Sequence, residues 1–290
     1  MVTTNESYKE YVIDDLVNHK GLSHPVKTNV ILRIKTVKIN PKKLHPNPDD
    51  EFSMEDIGPN WGIISDYERT IVLRQKRDQE LFDEPLIAVR LNSGGYMLLN
   101  GHHRWMAAIN VRLKKVPVKI VNITHEDDVK QTIRKSDRNK CITIDFDEVL
   151  YSDNMQNEDN QLKFPFNLIY KKNIRENASL LIEEFHRLGY DVWIYTGSYL
   201  SEQFIKGLFS INKCSVDGIV NGINGKKHSI NLRALFREKY NPIVHVDNEM
   251  LTFVNSVSKK YEMIDFNVPS EQWASAVVNN VEQFDLSSIE

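Results

Sequence analysis

Hydrophobic and polar residues change period several times along the first half of the chain. Residues 1–25 read as a short helix with a polar lead-in, and Val30 to Ile39 alternates with the two-residue period of a strand. Asn40-Pro41 and His45-Pro46-Asn47-Pro48-Asp49-Asp50 then break the pattern into a loop. Asp66 to Phe82, with Ile71, Val72 and Leu81 set among charges, predicts a helix. Leu86 to Leu91 and Tyr96 to Leu99 predict two strands joined by the turn Asn92-Ser93-Gly94-Gly95. Trp105, Ala108, Ile109 and Leu113 mark one face of a helix, and Val116 to Ile123 is a strand. The charged run Thr124 to Lys140 is helix-compatible and reads as a connector.

In the second half, strands and helices alternate. Cys141 to Asp147 is an apolar strand ending in two carboxylates. Ala178, Leu181, Ile182, Phe185 and Leu188 form a helical stripe that stops at Gly189, a suitable residue just beyond a helix end. Strands follow at Tyr190 to Thr196, Asp217 to Val220 and Pro242 to Asp247, with helices at Ser201 to Phe209 and Ile230 to Tyr240. This rhythm predicts a parallel sheet with helices on both faces. Ligands of such sheets bind at the carboxyl ends of the strands, where Asp145, Thr196 and Asp247 fall. The predicted organisation is a lead-in (1–27), a first domain (28–123), a connector (124–140) and a second domain (141–290).

Composition narrows the class. The 290 residues are 41% hydrophobic and 27% charged, which excludes disordered, collagenous and fibrous chains. No apolar run approaches the roughly 20 residues of a membrane span, so no membrane partner is expected. Met1-Val2-Thr3-Thr4-Asn5-Glu6-Ser7 lacks the basic-then-apolar order of a secretion signal. Two cysteines, Cys141 and Cys214, make neither a disulfide framework nor a four-cysteine zinc site, so a reducing, cytoplasmic setting is expected. The net charge of −3 hides an asymmetry: residues 1–140 carry 23 basic against 19 acidic side chains, and residues 141–290 carry 14 against 21. The first half is too mildly basic to announce a nucleic-acid surface by charge alone. The acidic second half better suits a magnesium site.

The strand ends of the second half carry an ordered set of motifs. Asp145-Phe146-Asp147-Glu148-Val149-Leu150 resembles the first motif of the haloacid dehalogenase-like superfamily, and Tyr195-Thr196-Gly197 resembles the second. Lys226 or Lys227 stands where the third-motif lysine belongs, and Val244-His245-Val246-Asp247-Asn248 resembles the fourth motif. The resemblance spans residues 141–250 and implies a Rossmann-like phosphatase domain. It implies that Asp145 attacks phosphorus, Asp147 serves as general acid and base, Thr196 bonds the phosphoryl oxygens, and the lysine offsets their charge. It also implies Mg2+ held by Asp145, Asp247 and the Asp147 carbonyl. Asn248 stands at a place where the family more often has a second acid, and Glu148 where a small residue is common. About 48 residues separate Asp147 from Thr196, which leaves little or no room for a cap. The plain alternative is that a strand-end Asp caps the helix that follows.

In the first half the informative run is Tyr96-Met97-Leu98-Leu99-Asn100-Gly101-His102-His103-Arg104-Trp105. It resembles the phosphate-binding motif of the ParB/sulfiredoxin-like α+β fold, over residues 28–123. A strand passing through Gly101 into a helix N-terminus offers free N–H groups to an anion. Asn100, His102, His103 and Arg104 are the accompanying candidates for nucleotide or phosphate binding. His102 replaces the sulfiredoxin cysteine, which disfavours that activity, and no helix-turn-helix domain follows as in the DNA-segregation branch. The run looks most like the free-serine-kinase branch, which implies bound ATP or ADP and an upstream acid, Glu51 or Asp50. Ordinary capping of a polar helix start is the plain alternative.

Together these readings predict an α/β protein of two domains, acting as a Mg2+-dependent phosphohydrolase or phosphotransferase on a phosphorylated small molecule or nucleotide. The competing readings are a nucleic-acid-binding or regulatory module with a degenerate phosphatase half, and a phosphatase of nucleic-acid 3′ ends.

Overall fold

The computed structural model describes residues 4–19, 24–29, 35–151, 161–170, 172–222, 226–247, 250–258, 260–265, 268 and 270–287. The chain divides into two compact units after Ile123.

The first unit opens with α1 (Thr4–Tyr8) and α2 (Asp14–His19), joined by a π-helical turn. Its sheet contains β1 (Val37–Ile39), β2 (Leu44–His45), β3 (Leu86–Arg90), β4 (Tyr96–Asn100) and β5 (Val116–Val121), in the order β1-β5-β3-β4-β2. The β3–β4 pair is the predicted hairpin, with Gly94 and Gly95 at φ 96° and 75° in its turn. Of the strand predicted over Val30 to Ile39, only Val37–Ile39 is one, and residues 30–34 lie outside the described residues. α3 (Trp61–Lys76) starts earlier than the hydrophobic spacing predicts, because the Asn60 carboxamide caps it by accepting from the Ile63 N–H. The helix stops before Phe82, and Asp78 turns the chain with φ 53°. α4 (His102–Asn110) carries Trp105, Met106 and Ala108 into a core with Ile64, Ile71, Leu86, Leu98, Val118 and Ile120.

The second unit consists of α5 (Glu126–Ile133), β6 (Lys140–Asp145), α6 (Ala178–Arg187), β7 (Tyr190–Thr196), α7 (Glu202–Ile211), β8 (Gly218–Asn221), α8 (Lys226–Lys239), β9 (Ile243–Val246), β10 (Met250–Val254), β11 (Tyr261–Asp265) and α9 (Trp273–Ser287). The strand order is β11-β10-β9-β6-β7-β8. The four strands β9, β6, β7 and β8 are parallel, as expected. β10 and β11 are added antiparallel, which makes the sheet mixed and corrects the all-parallel expectation.

Parallel strands buried on both faces read as unbroken apolar runs, as Cys141 to Ile144 does. Ile142, Ile144, Val192, Ile194, Val244 and Val246 face α6, α7 and α9. Cys141, Trp193, Val220 and Ile243 face α5 and α8. The charged stretch read as a connector therefore contributes a core helix, since α5 buries Val129 and Ile133 against this second face. Trp105 and Trp193 are core residues, 0% and 1% exposed. The strand predicted to reach Asp147 ends at Asp145, and a π-helical turn, Phe146–Leu150, buries Phe146, Val149 and Leu150.

Candidate functional sites in the two units

In the second unit, β6 ends where its apolar run meets Asp145. The Asp145 carboxylate accepts the Glu148 N–H at 2.7 Å, capping the turn that follows. Strand register pairs Asp145 with Tyr195, and Ile144 with Val246, so Asp145 and Asp247 occupy neighbouring strand ends. Burial raises the Asp145 carboxyl above its ordinary value; the adjacent acids Asp147 and Glu148 raise it further, and the Glu148 N–H opposes them.

Asp147 reaches across to β7. It accepts the Thr196 hydroxyl at 2.7 Å, the Ser198 N–H at 3.2 Å and the Ser198 hydroxyl at 2.7 Å. Thr196, expected to wait for phosphoryl oxygens, thus donates to Asp147. Ser198 was missed in the sequence, although its place two residues beyond Thr196 was the available signal. Asn221 at the end of β8 was missed too; it accepts the Thr124 hydroxyl at 2.7 Å and donates to the Leu200 carbonyl at 2.7 Å, which secures the loop after β7. Among the described residues, no three His, Cys, Asp or Glu side chains are grouped to hold a metal. Asn248 lies outside the described residues; Lys226 and Lys227 are the first two residues of α8, and their side chains are likewise not described.

In the first unit, Gly101 turns the chain from β4 into α4 with φ +95°. A Cβ there would fall 2.6 Å from Leu86 Cδ2, so only glycine fits. His102 is 4% exposed, and its Nε2 accepts the Asn47 N–H at 3.3 Å while Nδ1 stands 3.4 Å from the Asp50 carboxylate. His103 Nε2 accepts the Asn60 N–H at 3.0 Å. Each imidazole therefore carries its proton on Nδ1. Burial pushes the pKa of His102 down to about 4, Asp50 pulling it up and His103 pushing it further down. Burial lowers His103 as well, with Asp50 opposing. Phe52 packs against both rings, with centroids 5.5 and 5.1 Å away.

Arg104 donates to the Glu84 carbonyl at 2.6 Å and to the Asn100 carboxamide at 3.1 Å. In this structure both imidazoles and Arg104 bond to groups of the protein itself. Of the two upstream acids, Asp50 reaches the histidines, whereas Glu51 sits exposed in the adjoining turn.

Similarity to known families falls on this first site. Residues 65–136 match the ParB N-terminal domain. The match runs from α3 through α5 and lies outside residues 141–290. One similar solved structure is the C-terminally truncated chromosome-partitioning protein ParB from Caulobacter crescentus complexed with CTP-gamma-S, at 20% identity over 36% of this chain and 56% of that one, with a TM-score of 0.25. Another is the same truncated protein complexed to the centromeric parS site, at 18% identity over 36% and 50%, with a TM-score of 0.23. The chain thus spans about half the length of these relatives. No curated protein matches it. The sequence therefore contains a ParB-like domain within a mixed α/β protein, and among the described residues no helix is long and apolar enough to cross a membrane.

Proposed function

We propose that the protein couples a nucleotide- or nucleic-acid-binding ParB-like unit to a phosphohydrolase unit whose nucleophile is Asp145. The observation that carries the second half is the register that brings Asp145 and Asp247 to neighbouring strand ends, with Asp147 and Thr196 hydrogen-bonded beside them. In this reading an Asp145 oxygen bonds to phosphorus as the bond to the leaving oxygen breaks. Asp147 gives that oxygen a proton, then takes one from the water that releases phosphate from Asp145. Ser198 and Thr196 hold Asp147 in place for both transfers. The oxygen donors of Asp145, Asp247 and the Asp147 carbonyl suit a hard cation, and Mg2+ bound there would neutralise phosphoryl charge.

The test is phosphate release from p-nitrophenyl phosphate with Mg2+ present. Asp145→Asn is expected to reduce it to the background rate with circular dichroism and melting unchanged. Undiminished turnover would discard the nucleophile.

For the first unit, the family match supports ligand binding, with the N–H groups at the start of α4 as the anion-facing element. ATP, ADP and CTP titrated against the full chain, followed by intrinsic tryptophan fluorescence, test which base is preferred. A kinase step is the less supported reading, because Asn100 stands where the kinase branch has its acid.

A further inference from the structure

Residues 47–60, which join β2 to α3, make their backbone-to-backbone hydrogen bonds among themselves, in successive turns such as Ser53 N–H to the Asp50 carbonyl and Gly58 N–H to the Met54 carbonyl. Their ends are fastened elsewhere. The Asn47 N–H donates to His102 Nε2 and the Asn60 N–H to His103 Nε2, so both ends are tied to the first two residues of α4. Between the ends, Phe52 is the single buried apolar side chain, set against both imidazoles, and the Tyr8 hydroxyl donates to its carbonyl at 3.1 Å. Ile57 is exposed. The segment carries five acids, Asp49, Asp50, Glu51, Glu55 and Asp56, and no basic residue. Asp50 faces His102, and the other four are exposed.

We propose that residues 47–60 form a releasable strap on the first turn of α4, latched by neutral His102 and His103 and let go when these imidazoles take up protons, with the rest of the unit intact. A neutral imidazole protonated on Nδ1 accepts at Nε2, whereas an imidazolium donates from both nitrogens and opposes the N–H it held. One buried apolar side chain is a light anchor, so the strap opens at less cost than the unit unfolds. Burial keeps both rings below their ordinary value, His102 down to about 4. Asp50 of the strap opposes this at both rings, and His103 adds to it at His102. Of the other charged groups nearby, Glu55 bears on Tyr8, and Arg104 is held by the Glu84 carbonyl. Release returns an imidazole to a value near 6.5. The latched form is therefore fully favoured above pH 6.5 and loses ground as pH falls towards 4, about tenfold per pH unit at His102. Release also changes the charge at the start of α4: an acidic segment leaves, and two imidazolium groups remain.

The experiment is hydrogen exchange of the full chain, read by NMR at the Asn47 and Asn60 amides and divided by the intrinsic rate at each pH. The range from pH 6.5 to 5 stays above the ordinary carboxylate values. Protection of the Asn47 amide is expected to fall about 30-fold across it, while the β5 amides of Val118 and Ile120 keep theirs. Protection of the Asn60 amide is expected to fall in the same direction. His102→Gln keeps an acceptor that does not titrate and should flatten the response at Asn47; His103→Gln should flatten it at Asn60. The second variant alters a half-buried ring and still tests the latch where the first does not fold. Protection that does not change with pH, or a response that neither variant flattens, would overturn the latch. Parallel loss in β5 would overturn it as well, by showing that the unit unfolds as a whole.

Discussion

At the start of α4, two imidazoles accept backbone N–H groups from distant loops and an arginine is tied to a carbonyl; at the end of β6, the carboxylates and hydroxyls of the motif residues bond to one another at a sheet edge. Both regions carry dense polar motifs. In the first, the polar groups hold loops 47–60 against the helix. In the second, they hold each other where strands end. A polar motif buried among loops is drawn into satisfying backbone groups, because an unpaired buried N–H is costly. The same chemistry at the carboxyl edge of a parallel sheet faces an opening by construction.

The largest effect expected on this comparison is at Trp105. Trp105→Ala removes a fully buried indole and its bond to the Pro41 carbonyl, and should cost about 3–5 kcal/mol in urea unfolding. A loss below about 1 kcal/mol would show that α4 is not anchored as described.

Next is a pH dependence confined to the histidine site. Unfolded His102 titrates near 6.5, but the folded group has a pKa of about 4. Between those values the unfolded chain binds a proton that the folded one refuses. Stability present above pH 6.5 should therefore fall as pH drops towards 4 and level off below, by ~3 kcal/mol at most. Urea midpoints at pH 7 and pH 4.5 measure this, and His102→Gln, which keeps an acceptor for Asn47, should reduce the slope. An unchanged slope in that variant would mean that other groups govern the acid limb.

The smallest expected stability effect is at the β6 edge. Ser198→Ala leaves Asp147 with the Thr196 hydroxyl and the Ser198 N–H, so stability should fall by only about 1 kcal/mol. Phosphate release should fall by more than that stability change explains, because Asp147 is no longer fixed. A rate equal to that of the unsubstituted protein would reduce Ser198 to a structural role and remove the contrast between the units.

Much of the fold was legible along the chain. The unbroken apolar run of β6, the stripe of α6 and the glycine turn before β4 are local patterns, and each appears where the residues predict it. Element ends were less legible, since caps such as Asn60 and Asp145 act through one hydrogen bond rather than a period. Of the β10–β11 hairpin, β10 alternates buried Leu251 and Phe253 with Thr252, a pattern the sequence offered, whereas β11 is exposed along most of its length and carries no buried alternation.

The sequence by itself determined that Asp145 and Thr196 end strands, that Asp247 follows one directly and that Gly101 opens α4, because strand and helix periods and a left-handed turn are properties of neighbouring residues. Only the tertiary structure decided what those groups touch. Asn47 meets His102 across 55 residues and Ser198 meets Asp147 across 51, and no local pattern encodes such pairings. Strand register and loop packing choose the partners, and through them which polar groups are occupied within the fold and which stand at an open edge.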